Sequence, residues 1–216
     1  QKWLLDFDLF RGMKQDKQFF VMETSPLHSG WLKGVPKAHK KGFLLAEAAS
    51  AYANGGMGFS YWLFKGQRAG CEIPHSSLLY PWGEPTLGFD EAKTVEEFRK
   101  IAEKAYMATE HKQPEVAMTY SDRARAFWFT EPLLEGKEYT ERMLQLHMLV
   151  DALGINRDLL GENATLDGYK MLITPFMPYV SDKYIEEALK LVKRGGVWII
   201  GPFTGHRTQY HTTNTD

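Results

Sequence analysis

The 216-residue sequence predicts an α/β fold in which parallel strands are covered by helices. Three observations predict it. Short apolar runs bounded by Pro, Gly or charged residues read as buried strands, segments of helical periodicity lie between them, and the two alternate along most of the chain.

Asp6 to Lys14 reads as a short helix. Phe19 to Met22 is a continuous apolar run, which predicts a strand buried on both faces, ending at Glu23-Thr24-Ser25-Pro26. A loop with Trp31, Gly34 and Pro36 follows. Phe43 to Tyr52 is Ala-rich, carries Leu44, Leu45, Ala48, Ala49 and Tyr52 at helical spacing, and stops at Asn54-Gly55-Gly56. Met57 to Leu63 reads as a second buried strand. From Phe64 to Asp90 there is no clear periodicity, and a loop of that length points to function. Thr94 with Glu97 makes a capping-box pattern, which starts a helix there with Phe98, Ile101, Ala102 and Ala105 as its buried stripe.

After Gln113-Pro114 the alternation restarts, so a domain boundary is placed near Lys112 to Glu115. Val116 to Tyr120, Met171 to Thr174 and Val197 to Ile200 read as strands. Tyr139 to Leu153 reads as a helix with Leu146, Leu149, Val150 and Leu153 on its apolar face. Ser181 caps another, with Ile185, Ala188, Leu189 and Val192 inward and Gly195-Gly196 at its end.

A formal net charge of −1 gives no support for a nucleic-acid or anionic-membrane partner. No apolar run approaches the roughly 18 residues of a membrane span. One cysteine, Cys71, excludes an internal disulfide and a multi-cysteine zinc site. Gln1 to Phe7 reads neither as a signal peptide nor as a translation start, so the native N-terminus is expected upstream. Aromatics are abundant, and several sit in polar, Gly/Pro-rich stretches such as His28-Ser29-Gly30-Trp31 and Tyr80-Pro81-Trp82-Gly83. Core packing accounts for most aromatics. Rings on surface loops also suit sugar binding, because a flat ring packs on the C–H face of a pyranose.

Glu23 stands at the C-terminal end of an apolar strand, where catalytic groups sit in parallel α/β barrels. A solvated carboxylate at a strand end fits the same pattern, and Trp31, Glu72 and His75 weigh toward chemistry. Phe20-Val21-Met22-Glu23-Thr24-Ser25-Pro26, with Trp31 eight residues beyond Glu23, resembles the nucleophile segment of glycoside hydrolase family 42 beta-galactosidases. Asn54 to Trp62 is similar to that family's entry into its eighth barrel strand, and Gly70-Cys71-Glu72-Ile73-Pro74-His75 to its sugar-binding Glu-x-x-His segment. Leu166 to Pro175, with Val180-Ser181-Asp182, resembles the family's trimerisation domain, whose fold is flavodoxin-like and related to class I glutamine amidotransferases.

The resemblance covers essentially the whole chain. It implies residues 1–112 as the C-terminal portion of a (β/α)8 catalytic barrel and residues 113–216 as an incomplete trimerisation domain. Glu23 would be the nucleophile of a double displacement on terminal beta-D-galactosides, and Trp31, Trp62, Glu72 and His75 would bind the sugar. The family's Asn-Glu acid/base segment is not found upstream of Glu23, so the chain alone is expected to be inactive. Ile-Pro-His replaces the common Lys-Phe-His, and the zinc-binding cysteine cluster of some relatives is missing. No metal or cofactor is expected. Ser121 to Arg125, the turn after the first strand of the second domain, has bulky side chains and no glycine, unlike a phosphate-gripping turn, so no flavin or nucleotide is expected there either. The resemblance further implies a homotrimer and a cytoplasmic location. Two alternatives stand beside it: a non-catalytic oligomerisation or carbohydrate-binding piece, and a related barrel glycosidase acting on another sugar. His28, His206, His211 and the lysine runs are read as loop or solvated residues.

Overall fold

The computed structural model describes residues 2–14, 17–29, 37–110, 112–131 and 137–215. In chain order the elements are helix α1 (Lys2–Met13), strand β1 (Phe19–Thr24), the two-residue strands β2 (His28–Ser29) and β3 (Lys37–Ala38), and helix α2 (Phe43–Ala53). Strand β4 (Gly56–Tyr61), helix α3 (Leu87–Ala108), strand β5 (Val116–Thr119) and helices α4 (Asp122–Trp128) and α5 (Lys137–Ala152) follow. Strands β6 (Arg157–Leu160) and β7 (Met171–Thr174), helix α6 (Asp182–Lys193) and strand β8 (Val197–Ile200) complete the set. They form two compact units, residues 16–111 and residues 112–216 together with 1–15. Helix α1, read with the barrel from the sequence, therefore packs with the second unit.

In the first unit β1 and β4 pair in parallel, and α2 and α3 pack beside them. The core joins Leu44, Ala48 and Tyr52 of α2 to Val95 of α3, with Phe59, Phe98, Ala102 and Tyr106 against them. Helix α2 starts at Gly42, which offers no side-chain cap; the Glu91 carboxylate of α3 accepts from the Leu44 amide at 3.2 Å instead. It ends where expected, with Gly55 at φ 91° turning the chain into β4.

Two expectations for this unit are corrected. Strand β1 is not buried on both faces: Phe20 is 42% and Met22 74% exposed. Among the described residues β4 is its one strand neighbour. Helix α3 begins at Leu87, with Thr86 at the N-cap position but without a side-chain cap bond, rather than at Thr94, whose hydroxyl bonds back to the Asp90 carbonyl inside the helix. Its inward stripe is therefore Val95, Phe98, Ala102 and Tyr106, leaving Ile101 67% exposed.

The second unit is a four-stranded parallel sheet ordered β6-β5-β7-β8, the order that begins a flavodoxin-like sheet. Its core runs through Met118, Leu159 and Leu172 of the strands and Trp128, Tyr139, Met143, Tyr184 and Leu191 of the helices. The Tyr184 hydroxyl meets Thr119 Oγ1 at 2.5 Å and Thr174 Oγ1 at 2.6 Å, tying α6 to β5 and β7. Ser121 to Arg125 is the N-cap and first turn of α4, with Ser121 Oγ accepting from the Ala124 amide at 2.8 Å.

The helix faces read from leucine spacing are partly wrong here. Leu149 and Leu153 are 64% and 74% exposed, and the buried face of α5 carries Tyr139, Met143, His147 and Val150. On α6 the buried side chains are Tyr184, Ala188 and Leu191, while Leu189 and Val192 are exposed.

His147 explains the slip on α5. It belongs to a buried polar cluster with Asp8 and Arg11 of α1 and Arg157 and Asp158 of β6. His147 Nε2 lies 2.6 Å from Asp8 Oδ2, Arg157 reaches the same oxygen at 3.2 Å, and Arg11 reaches Asp8 Oδ1 at 2.9 Å. Arg11 Nε also bonds Asp158 Oδ1 at 2.7 Å, and Tyr169 donates to Asp158 Oδ2 at 2.8 Å. Strand β6, with Arg-Asp as its first two residues, does not look like a buried strand in sequence.

Candidate active site

Strands β1 and β4 run the same way, with Thr24 opposite Tyr61, so Glu23 and Trp62 lie at the same C-terminal end. The Trp62 amide donates to the Thr24 carbonyl at 2.9 Å, which closes that end. Trp62 is 40% exposed, and the Trp62–Leu63 peptide is cis. The Glu23 side chain is exposed and accepts no hydrogen bond from the described residues.

The loop after β4 is held by backbone bonds. Leu63 donates to the Ser76 carbonyl at 2.8 Å and Leu78 to the Leu63 carbonyl at 2.9 Å, so the loop returns to the end of β4. Between these anchors Glu72 and His75 share one turn, with the His75 amide on the Glu72 carbonyl at 2.9 Å. Gln67 Nε2 donates to Glu72 Oε2 at 2.8 Å and orients the carboxylate. Both side chains are half-buried. Of the residues singled out by sequence, the structure thus gathers Trp62 and the Glu72–His75 loop at the strand end that carries Glu23. Trp31 lies outside the described residues.

Sequence reasoning passed over several neighbours. Ser25 Oγ donates to the His28 carbonyl and lies 2.5 Å from Ser76 Oγ, joining the strand end to the residue after His75. His28, read as a plain loop residue, has a buried Nδ1 with no hydrogen-bond partner among the described residues. Burial, and then the neighbouring His75, lower its pKa. His39 stacks flat on Phe43 at 3.7 Å and its Nε2 reaches the Ser25 carbonyl at 3.0 Å. Burial pushes its pKa down against that hydrogen bond. Behind the strand, Glu47 of α2 is buried and accepts from Thr24 Oγ1 at 2.9 Å; burial raises its carboxyl pKa and the hydrogen bond offsets part of that. Ser25 stands two residues after Glu23 and Ser76 directly after His75, and that nearness is the one signal available in sequence.

A cavity of about 460 Å³ opens beside Pro26, Leu27, His39, Leu45 and Glu91. Glu23, Trp62, Glu72 and His75 do not line it. Cys71 is exposed, and no described helix is long and apolar enough to cross a membrane.

Residues 1–101 match the family model described as beta-galactosidase, and residues 114–216 the model described as beta-galactosidase trimerisation domain. The chain is 46% identical over 214 residues to beta-galactosidase YesZ of Bacillus subtilis, covering 99% of this chain and 32% of that protein. It is 43% identical over 216 residues to the YesZ beta-galactosidase of Bacillus licheniformis, again 32% of that protein. It therefore spans about a third of the length of these curated relatives. Among solved structures, a catalytic mutant of Gan42B, a GH42 beta-galactosidase from G. stearothermophilus, superposes with a TM-score of 0.86 at 21% identity, over 99% of this chain and 31% of that one. A beta-galactosidase from Rahnella sp. R3 gives 0.84 at 22% identity, over 100% of this chain and 32% of that one. The fold is accordingly the C-terminal part of a (β/α)8 barrel followed by a flavodoxin-like domain. With both family models matched in sequence order over nearly its whole length, the chain belongs to the glycoside hydrolase family 42 beta-galactosidases.

Proposed function

We propose that this chain contributes the nucleophile and part of the sugar subsite to a retaining glycosidase acting on terminal beta-D-galactosides. The observation that carries this is the exposed Glu23 carboxylate at the C-terminal end of β1, with Trp62 and the Glu72–His75 turn held at the same end. A retaining enzyme needs two carboxyls roughly 5–5.5 Å apart, one to attack the anomeric carbon and one to protonate the leaving oxygen. Glu23 is the attacking group in this reading; the acid comes from barrel strands outside this chain. Glu72, oriented by Gln67, accepts from sugar hydroxyls, and His75 donates to or accepts from a neighbouring one. Trp62 and Trp31 supply the apolar walls. In the full-length protein, an activated 2-deoxy-2-fluoro-galactoside is expected to label the peptide holding Glu23, as peptide mapping by mass spectrometry would show. A label on Glu72 would reverse the roles given to the two carboxylates.

We further propose that the second domain joins three subunits. Its exposed apolar side chains support this: Leu149 and Leu153 on α5, Leu189 and Val192 on α6, and Val197, Ile199 and Ile200 on β8. Analytical ultracentrifugation of the full-length protein at micromolar concentration is expected to give three times the subunit mass, and a lone monomer would contradict the proposal.

A further inference from the structure

We propose that the hydroxyl pair Ser25–Ser76 is a clasp that sets the position of His75 relative to Glu23, which makes both serines positioning residues for the reaction. The proposal rests on the reading of Glu23 as nucleophile. Each serine hydroxyl has one proton to give. Ser25 Oγ gives its proton to the His28 carbonyl, so the 2.5 Å contact with Ser76 Oγ takes its proton from Ser76. Ser76 is 3% exposed, where water cannot substitute for the bond.

These bonds close a ring. Thr24 accepts from the Trp62 amide, the next residue Leu63 donates to the Ser76 carbonyl, and Ser76 Oγ returns to Ser25, which follows Thr24. Glu23, Trp62 and His75 are each on the ring or one residue away from it. A closed ring fixes mutual position in a way that separate loop contacts do not, and a shift near 1 Å between reacting groups can cost about 100-fold in rate. Ser25 also fixes the backbone of His28, whose ring lies near His75. The Leu63–Ser76 backbone bond does not involve the hydroxyls. Losing the clasp therefore loosens the site without unfolding the loop.

In the full-length protein, Ser25→Ala, Ser76→Ala and the double replacement are compared for the rate of covalent labelling by an activated 2-deoxy-2-fluoro-galactoside, with melting temperature followed in parallel. Each single replacement is expected to slow labelling by about 10- to 100-fold. Because the two act as one bond, the double variant should be no slower than the worse single within about threefold. Ser76→Thr, which keeps the hydroxyl, should restore most of the rate. If Ser76→Ala does not fold, Ser76→Cys, similar in size and a weaker donor, carries the same test. Labelling of Glu23 at the wild-type rate in both singles, or a double variant whose loss equals the product of the two, overturns the clasp alone. A wild-type label on any residue other than Glu23 overturns the nucleophile reading instead.

Discussion

Glu23→Gln in the full-length protein is expected to lower kcat/KM for a nitrophenyl beta-galactoside by on the order of 10⁴-fold or more, about 5.5 kcal/mol of transition-state stabilisation. The amide is nearly isosteric with the carboxylate but carries no charge and is a far poorer nucleophile. It can neither form the glycosyl ester nor stabilise the positive charge that develops at the anomeric carbon. Stability should be untouched, because the Glu23 side chain is exposed and no described residue donates to it. A melting temperature within about 2 °C of wild type would separate lost chemistry from lost fold. KM should change much less than kcat, since Trp62, Glu72 and His75 keep their places. Steady-state kinetics with the purified variant decide it; a loss below tenfold would remove Glu23 from the nucleophile role.

Such a test could be framed from sequence because chemistry at a strand end is local. Glu23 follows an apolar run, and Glu72 and His75 share one turn; neither feature depends on distant residues. The same holds for β1, β4, β5, β7 and β8, each announced by a run of apolar side chains. What escaped depends on partners far along the chain. The Ser25–Ser76 contact spans 51 residues, and the sequence shows only that each serine is near a candidate site residue, not that the two meet. Strand β6 escaped because Arg157 and Asp158, the residues that disguise it, are neutralised by Asp8, Asp151 and Arg11. Leucine spacing misassigned α5 for the same reason: its inward face carries His147, whose partner Asp8 is 139 residues away.

Capping patterns misled in a related way. Thr94 with Glu97 has the spacing of a helix start, yet α3 begins earlier, with Thr86, nine residues after the buried Ser77, at its N-cap position. The Thr86 hydroxyl donates to the Ser77 carbonyl at 2.7 Å and its amide to the Leu78 carbonyl at 2.9 Å. Those bonds fix the end of the loop that carries Glu72 and His75, so helix start and site loop are set by one residue. Only the folded loop makes that visible.

The buried polar cluster of the second unit leads to the other large effect. Asp8→Ala is expected to destabilise the docking of α1 by about 3–5 kcal/mol, the usual cost of removing one partner from a buried ionic set. Asp8 and Asp158 face Arg11 and Arg157, all largely buried; without Asp8, two guanidiniums remain against one buried carboxylate, and His147 loses its carboxylate partner. Helix α1 cannot withdraw a little to let water in, because it lies directly on β6. A Cβ built on Gly12 would fall 1.7 Å from the Leu159 carbonyl oxygen, and Leu5 is buried in the same core. The loss should therefore appear as opening of the whole helix. Amide exchange of Leu4 to Gly12 should speed up on the order of 10²- to 10⁴-fold, at 1.36 kcal/mol per factor of ten. Replacing Asp8 with Leu and Arg157 with Met together should cost less than Asp8→Ala, because Arg157 Nε is already buried without a partner and apolar side chains of similar volume leave less unpaired charge. By contrast, Glu115→Ala breaks a Lys170 ion pair of 2.6 Å, as short as any ion pair of the cluster, between exposed side chains, and should leave exchange in α1 unchanged. Hydrogen exchange read by mass spectrometry on the three variants separates these outcomes. Wild-type protection of α1 in Asp8→Ala would show that Leu5 and the apolar contacts hold the helix without the cluster.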